Sequence, residues 1–129
     1  MIVVDSSVWI AQLRGLQTAA VARLEAIADT SDLLVGDIVL LEILQGARDD
    51  VHAARLALQM RRFQIVTMSN ESLAVEAARF YRTLRDRGVT VRKTIDVIIG
   101  AFCIVHGYDL LHDDRDFDPM ERHLGLQVV

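Results

Sequence analysis

Short apolar runs in this chain alternate with longer stretches whose apolar residues recur every third or fourth position, and the two periods predict strands interleaved with helices. Ile2-Val3-Val4 reads as a first strand. Ser6-Ser7 behind it can cap a helix carrying Val8, Trp9, Ile10 and Leu13 as far as Gly15. A second helix is expected from Thr18 to about Ala28, then a short strand at Leu33-Leu34-Val35 and a turn and cap at Gly36-Asp37. Ile38 to Gln45 reads as a helix ended near Gly46, and Val51 to Arg62 as another. Phe63 to Met68 alternates enough for a strand. Glu71 to Arg87 has the clearest helical period, with Leu73, Ala77, Tyr81 and Leu84 on one stripe and Gly88 closing it. Thr94 or Ile95 opens a helix that is apolar nearly all round and so must be buried. Asp109 to His112 is expected as a strand, with a possible last one at Leu126 to Val129. The succession predicts a single α/β domain over 1–129, three layers α/β/α around a mostly parallel sheet of about four or five short strands.

At 129 residues and 52% hydrophobic content with one proline, the chain can bury an ordered core without disulfides or a structural metal. Cys103, the only cysteine, lies in the run Val97 to Val105 and reads as inert core filler. That run is bracketed by Asp96 and His106 at about half the length of a membrane-spanning helix. The N-terminus enters a strand directly, without the basic and apolar regions of a signal peptide, so a cytoplasmic protein without a membrane partner is expected.

Fourteen basic against 18 acidic residues give a net charge of −4, which argues against a generic nucleic-acid-binding surface. The average can hide a segregation. All the basic residues but Lys93 are arginines, and several gather from Arg79 through Arg82, Arg85 and Arg87 to Arg92. This is either a region able to meet phosphates or a solvated helix face with local pairs such as Arg82 to Asp86 at i,i+4.

Certain acids stand where solubility alone would not put a charge. Asp5 ends the first apolar run, and Asp113, Asp114 and Asp116 follow a late one. If both runs are parallel strands of one sheet, their carboxyl ends emerge on one edge, where open α/β sheets bind ligands. Glu42 interrupts the apolar helix Ile38 to Leu44, with Gly46 at i+4 to let another backbone approach; Asp96 sits in the first turn of the most buried helix, with Gly100 at i+4. Carboxylates gathered in low dielectric must be protonated or neutralised, and a hard divalent cation does this most directly. Oxygen ligation with few histidines selects Mg²⁺ or Mn²⁺ over Zn²⁺. Each acid also has a structural reading. Asp5 can cap the first helix, Asp96 can favour its helix dipole, the Asp113 to Asp118 run can be a solvated turn, and Glu42 can pair with Arg48 or Arg92. The sequence contains no Gly-x-x-x-x-Gly-Lys, Gly-x-Gly-x-x-Gly, Gly-x-Ser-x-Gly or His-Glu-x-x-His motif. A receiver domain would need a lysine after the last strand, and a haloacid-dehalogenase phosphatase an aspartate where Ser7 stands.

Val4-Asp5-Ser6-Ser7-Val8, Leu41-Glu42-Ile43-Leu44-Gln45-Gly46, Ile95-Asp96-Val97-Ile98-Ile99-Gly100-Ala101 and Leu111-His112-Asp113-Asp114-Arg115-Asp116-Phe117 resemble, in order and spacing, the motifs of the PIN-domain ribonucleases, specifically the VapC toxins of type II toxin–antitoxin modules. The resemblance implies a Mg²⁺- or Mn²⁺-dependent endoribonuclease acting on structured RNA, with transfer or ribosomal RNA typical. Asp5, Glu42, Asp96 and Asp114 would be catalytic, and Asp5, Asp96, Asp114 and Asp116 metal-ligating. Ser6 and Ser7 would support them. His112 departs from the frequent Thr or Ser at its position, and its imidazole would either order a water or the leaving group, or bond a carboxylate at the strand end. The chemistry expected is in-line attack by water, leaving a 5′-phosphate and a 3′-hydroxyl. Arg79, Arg82, Arg85, Arg92 and Lys93 would grip RNA phosphates. The resemblance further implies a homodimer and a cognate VapB-like antitoxin whose tail occupies the cleft; Trp9 and Leu13 are expected in the core rather than in an interface. The non-enzymatic alternative is a PIN-like module that binds RNA or protein without cutting.

Overall fold

The computed structural model describes residues 1–27 and 29–129. Strand β1 (Ile2–Val4) lies between β2 (Leu33–Gly36) and β4 (Asp109–Leu111), and β3 (Gln64–Val66) lies outside β2, giving the order β3-β2-β1-β4. All three pairings are parallel, with Val3 opposite both Leu34 and Leu110, and Val35 opposite Ile65. The central strands are buried on both faces, which is why they read as continuous apolar runs without alternation. β3 is the exposed edge and is shorter than the expected Phe63 to Met68. The anticipated last strand reduces to one bridge from Leu110 to Val128.

Helices cross between the strands: α1 (Ser6–Leu13) and α2 (Ala19–Glu25) between β1 and β2, α3 (Asp37–Gln45) and α4 (Asp50–Met60) between β2 and β3, and α5 (Glu71–Asp86) and α6 (Thr94–His106) between β3 and β4. Together they complete a three-layer α/β fold. α2 stops at Glu25 with Ala26 as its C-cap, short of the expected end near Ala28, which itself lies outside the described residues. Trp9 is 2% exposed and packs on Phe63 with ring centroids 4.8 Å apart, so it belongs to the core. Leu13 packs against that core. On α5, Phe80 is buried and Tyr81 stands 37% exposed, correcting the expected stripe by one residue. Neighbouring aromatics lie about 100° apart on a helix, and packing against α6 selects the one that fits.

α6 is buried as its composition demands, closing on Gly107 in the left-handed conformation. Gly100 faces the thioether of Met120, and any β-carbon there would clash with it. Met120 belongs to α7 (Asp118–Leu124), an element the sequence reading did not identify. Its signals were Pro119 at the helix start, Gly125 just past its end, and Phe117, Met120 and Leu124 on one face. The dense aspartates before it disguised a helix as a solvated turn.

Candidate active site

The chain leaves β3 and returns on the far side of β1, so β1 and β4 are neighbours whose connections run in opposite directions. That junction is the topological switch point of the sheet, where a crevice opens at the carboxyl ends. Asp5 follows β1, its backbone N–H donating to Leu111 O at 2.9 Å, and Asp113 and Asp114 follow β4. The two ends of the chain thereby meet.

Asp5, 3% exposed, caps α1: its Oδ2 accepts from Ser7 N–H at 3.1 Å and from Ser7 Oγ at 2.6 Å. The cap is Asp5 rather than Ser6 or Ser7, which form the first turn. Ser7 Oγ also accepts from Asp113 N–H at 3.1 Å, so one hydroxyl ties the loop after β1 to the loop after β4. Ser6 Oγ donates to Glu42 Oε1 at 3.1 Å. Glu42 therefore finds a hydroxyl and not Arg48 or Arg92. Burial first, then the charge of Asp5, pushes its carboxyl above the ordinary glutamate range. A β-carbon at Gly46 would meet only Ile43 O at ordinary contact distance, so this glycine ends α3 and admits no close backbone.

Asp96, also 3% exposed, projects from the first turn of α6. Its carboxyl oxygens, with those of Asp114 and Asp116, offer ligand atoms within 4.8 Å of one another. Asp5 stands outside that trio. Burial, followed by the charges of Asp5, Asp114 and Glu42 acting against Lys93, raises the Asp96 carboxyl to about 6. Asp96 Oδ2 is buried and accepts no hydrogen bond. For Asp114, burial works upward, but the Asp116 N–H at 2.9 Å and the Lys93 ammonium outweigh it and hold the carboxyl below the usual range.

His112 Nδ1 accepts from Asp114 N–H at 3.1 Å, which places the hydrogen of the neutral ring on Nε2. The ring leans on Phe117 with centroids 4.9 Å apart, and Nε2 is buried without a partner. The imidazole is thus bonded to backbone and to no carboxylate. Burial raises the Cys103 thiol to about 12, in keeping with inert filler.

The basic candidates divide. Arg79 is paired with Glu76 at 2.6 Å and lies over the Phe80 ring. Arg82 and Arg85 lie on exposed α5, and among the described residues no ion pair joins Arg82 to Asp86. Arg92 Nη2 meets Asp116 Oδ1 at 3.0 Å, and Lys93 Nζ stands 3.0 Å from Asp114 Oδ2, 3.6 Å from Asp96 Oδ2 and 4.0 Å from Asp116 Oδ2. Lys93 is therefore part of the acidic site. Its position three residues before Asp96 was the available signal.

The PIN domain family model matches residues 2–122. The chain belongs to the PIN-domain family. It is 30% identical over 131 residues to a VapC ribonuclease of Mycobacterium bovis and to ribonuclease VapC11 of Mycobacterium tuberculosis, alignments covering all of this chain and 98% of each relative. Among solved structures, this PIN domain resembles VapBC2 of Rickettsia felis bound to a promoter DNA fragment, with a TM-score of 0.79 at 16% identity, covering 100% and 98% of the two chains. It also resembles VapC20 of Mycobacterium tuberculosis, a sarcin-ricin loop cleaving toxin, with a TM-score of 0.68 at 20% identity, covering 92% and 93%. No helix among the described residues of this PIN domain is long and apolar enough to cross a membrane.

Proposed function

We propose that this chain is a VapC-type toxin: an endoribonuclease that uses Mg²⁺ or Mn²⁺ to hydrolyse RNA phosphodiesters. The observation that carries the reading is the buried Asp96 Oδ2, which accepts no hydrogen bond, beside Asp114 and Asp116. A set of carboxylate oxygens gathered this closely fits a hard divalent cation. Asp96, Asp114 and Asp116 would hold it, and Asp5 and Glu42 would complete the catalytic acids. When bound, the ion would supply an activated water and stabilise charge on the leaving oxygen.

The remaining work belongs to the protein. Ser7 holds Asp5 against the β4 loop, so the carboxylate faces the crevice in one orientation. Glu42, biased toward its protonated form by burial and by Asp5, can keep a proton near the reacting centre. Ser6 holds that carboxyl in place. The His112 ring, packed on Phe117 and bonded to Asp114 N–H, holds the loop that carries Asp114 and Asp116. Arg82 and Arg85 are the exposed cations available to RNA outside the cleft.

Structured RNA, transfer or ribosomal, is the substrate class proposed, by analogy with the sarcin-ricin loop cleaved by VapC20. The similar structures solved as VapBC complexes support a VapB-like antitoxin as partner, and a homodimeric toxin is proposed with it. A monomer in gel filtration at micromolar concentration would count against the dimer.

The test is cleavage. Purified chain without antitoxin is incubated with total RNA in Mg²⁺, in Mn²⁺ and in chelator, beside Asp5→Ala and Asp96→Asn, and new 5′ ends are sequenced. Discrete metal-dependent cuts absent from both variants are expected. Well-folded protein that binds RNA but never cuts it would replace the enzyme with a binding module.

A further inference from the structure

We propose that Lys93 is a tethered cation that occupies the metal seat of the acid cluster, so that a divalent ion binds only by displacing it and Lys93 sets the metal affinity. The inference rests on the metal-site reading above. The carboxylates around Lys93 Nζ, at 3.0, 3.6 and 4.0 Å, are Asp114, Asp96 and Asp116, the same residues whose oxygens converge within 4.8 Å. A Mg²⁺ ion would stand about 2.1 Å from an oxygen it ligates. With the ammonium 3.0 Å from Asp114 Oδ2, the two cations would overlap or repel strongly, and one must leave.

Displacement is built to be easy. Lys93 stands at the N-cap position of α6 without a capping hydrogen bond from its side chain, which is 51% exposed and so can swing into solvent without disturbing packing. It donates one hydrogen bond, to Asp114, and leaves Asp96 Oδ2 neutralised by charge but without a hydrogen bond. A divalent ion can satisfy that oxygen where the ammonium does not. Residue type matters too. Every other basic residue of the chain is arginine, whose planar fork binds carboxylates bidentately, whereas lysine is a compact point charge that exchanges readily. Arg92 is the natural contrast: it is 79% exposed and meets only Asp116.

The experiment measures Mn²⁺ affinity calorimetrically for the full chain and for Lys93→Met, Arg92→Met and Asp96→Asn, with thermal melts in chelator and in saturating Mn²⁺. Removing a half-exposed competitor should tighten Lys93→Met binding about tenfold. In chelator that variant should melt roughly 2–5 °C lower, because the acids lose a counter-charge, and in Mn²⁺ the deficit should close. Arg92→Met should stay within about twofold of the parent. Equal or weaker Mn²⁺ binding by Lys93→Met, with binding abolished in Asp96→Asn, would overturn the role of Lys93 while leaving the metal site intact. Absence of Mn²⁺ binding by the parent, or binding that survives Asp96→Asn, would overturn the site and this inference with it.

Discussion

The crevice between β1 and β4 and the arginine-rich face of α5 are both dense in charge, and they treat it oppositely. On α5 the charges are exposed, and the one ion pair found there among the described residues, Arg79–Glu76, joins side chains one helical turn apart. In the crevice, Asp5 and Asp96 are almost wholly buried, acids from distant segments act on the Asp96 carboxyl, and one carboxylate oxygen has no hydrogen-bond partner. Exposed local pairs contribute little, at most about 1 kcal/mol. A buried acid such as Asp96, whose carboxyl is raised by burial and by neighbouring charge, costs stability, and a chain retains that cost where function uses it.

The contrast is broken most sharply by deleting charge on each side. Asp96→Asn should lower RNA cleavage roughly a thousandfold, the scale of several kcal/mol of charge stabilisation, while Arg79→Ala should keep cleavage within about twofold. Rates on a defined RNA fragment would check both. If the arginine variant lost as much as the aspartate variant, the division between regions would fall.

A second prediction concerns stability. The folded Asp96 carboxyl is raised from 3.8 to about 6, so between those values the folded chain binds a proton that the unfolded chain has lost. Stability therefore falls as pH rises through this window, and the unfavourable contribution is complete above it. Asp96→Asn should be more stable than the parent in chelator by about 2 kcal/mol at pH 8, the difference fading toward pH 4. Urea denaturation across pH would read it. A constant difference would show that the carboxyl is not strained by burial.

RNA affinity sharpens the α5 side. In the catalytically inactive Asp96→Asn background, Arg82→Gln and Arg85→Gln should each reduce the slope of log affinity against log salt by about 0.7 if they contact phosphate on single-stranded RNA. Unchanged slopes would leave α5 a purely solvated face.

The smallest effect belongs to Ser6. Its hydroxyl lowers the Glu42 carboxyl against burial and Asp5, so Ser6→Ala should shift the acidic limb of the pH–rate profile upward by less than about one pH unit. A downward shift would contradict the hydrogen bond.

Legibility in the sequence followed the same division. β1 and α6 were readable because burial of most of their residues leaves continuous apolar runs. Asp5, Asp96 and Asp114 stood out as charges bordering those runs. α7 escaped because Asp113 to Asp118 resemble a turn, and its apolar face is complete only with Phe117 and Met120 packed. Tyr81 displaced Phe80 from the expected stripe because two adjacent aromatics satisfy a helical period almost equally. Lys93 read as a surface cation because its ion partners Asp114 and Asp116 are more than twenty residues away.

The sequence by itself determined the alternation of strands and helices, since periodicity records which side of each element meets water. It also marked the acids that interrupt apolar segments. Tertiary structure alone decided which charges share a site. Asp5, Glu42, Asp96 and Asp114 come from separate elements: the parallel pairing of β1 with β4, tied by Ser7, brings Asp5 to Asp114, Ser6 holds Glu42 of α3, and the start of α6 delivers Asp96. It also decided that Lys93 faces those acids, because an ammonium takes the lowest-energy seat among charges whose positions the packed sheet and α6 have already set.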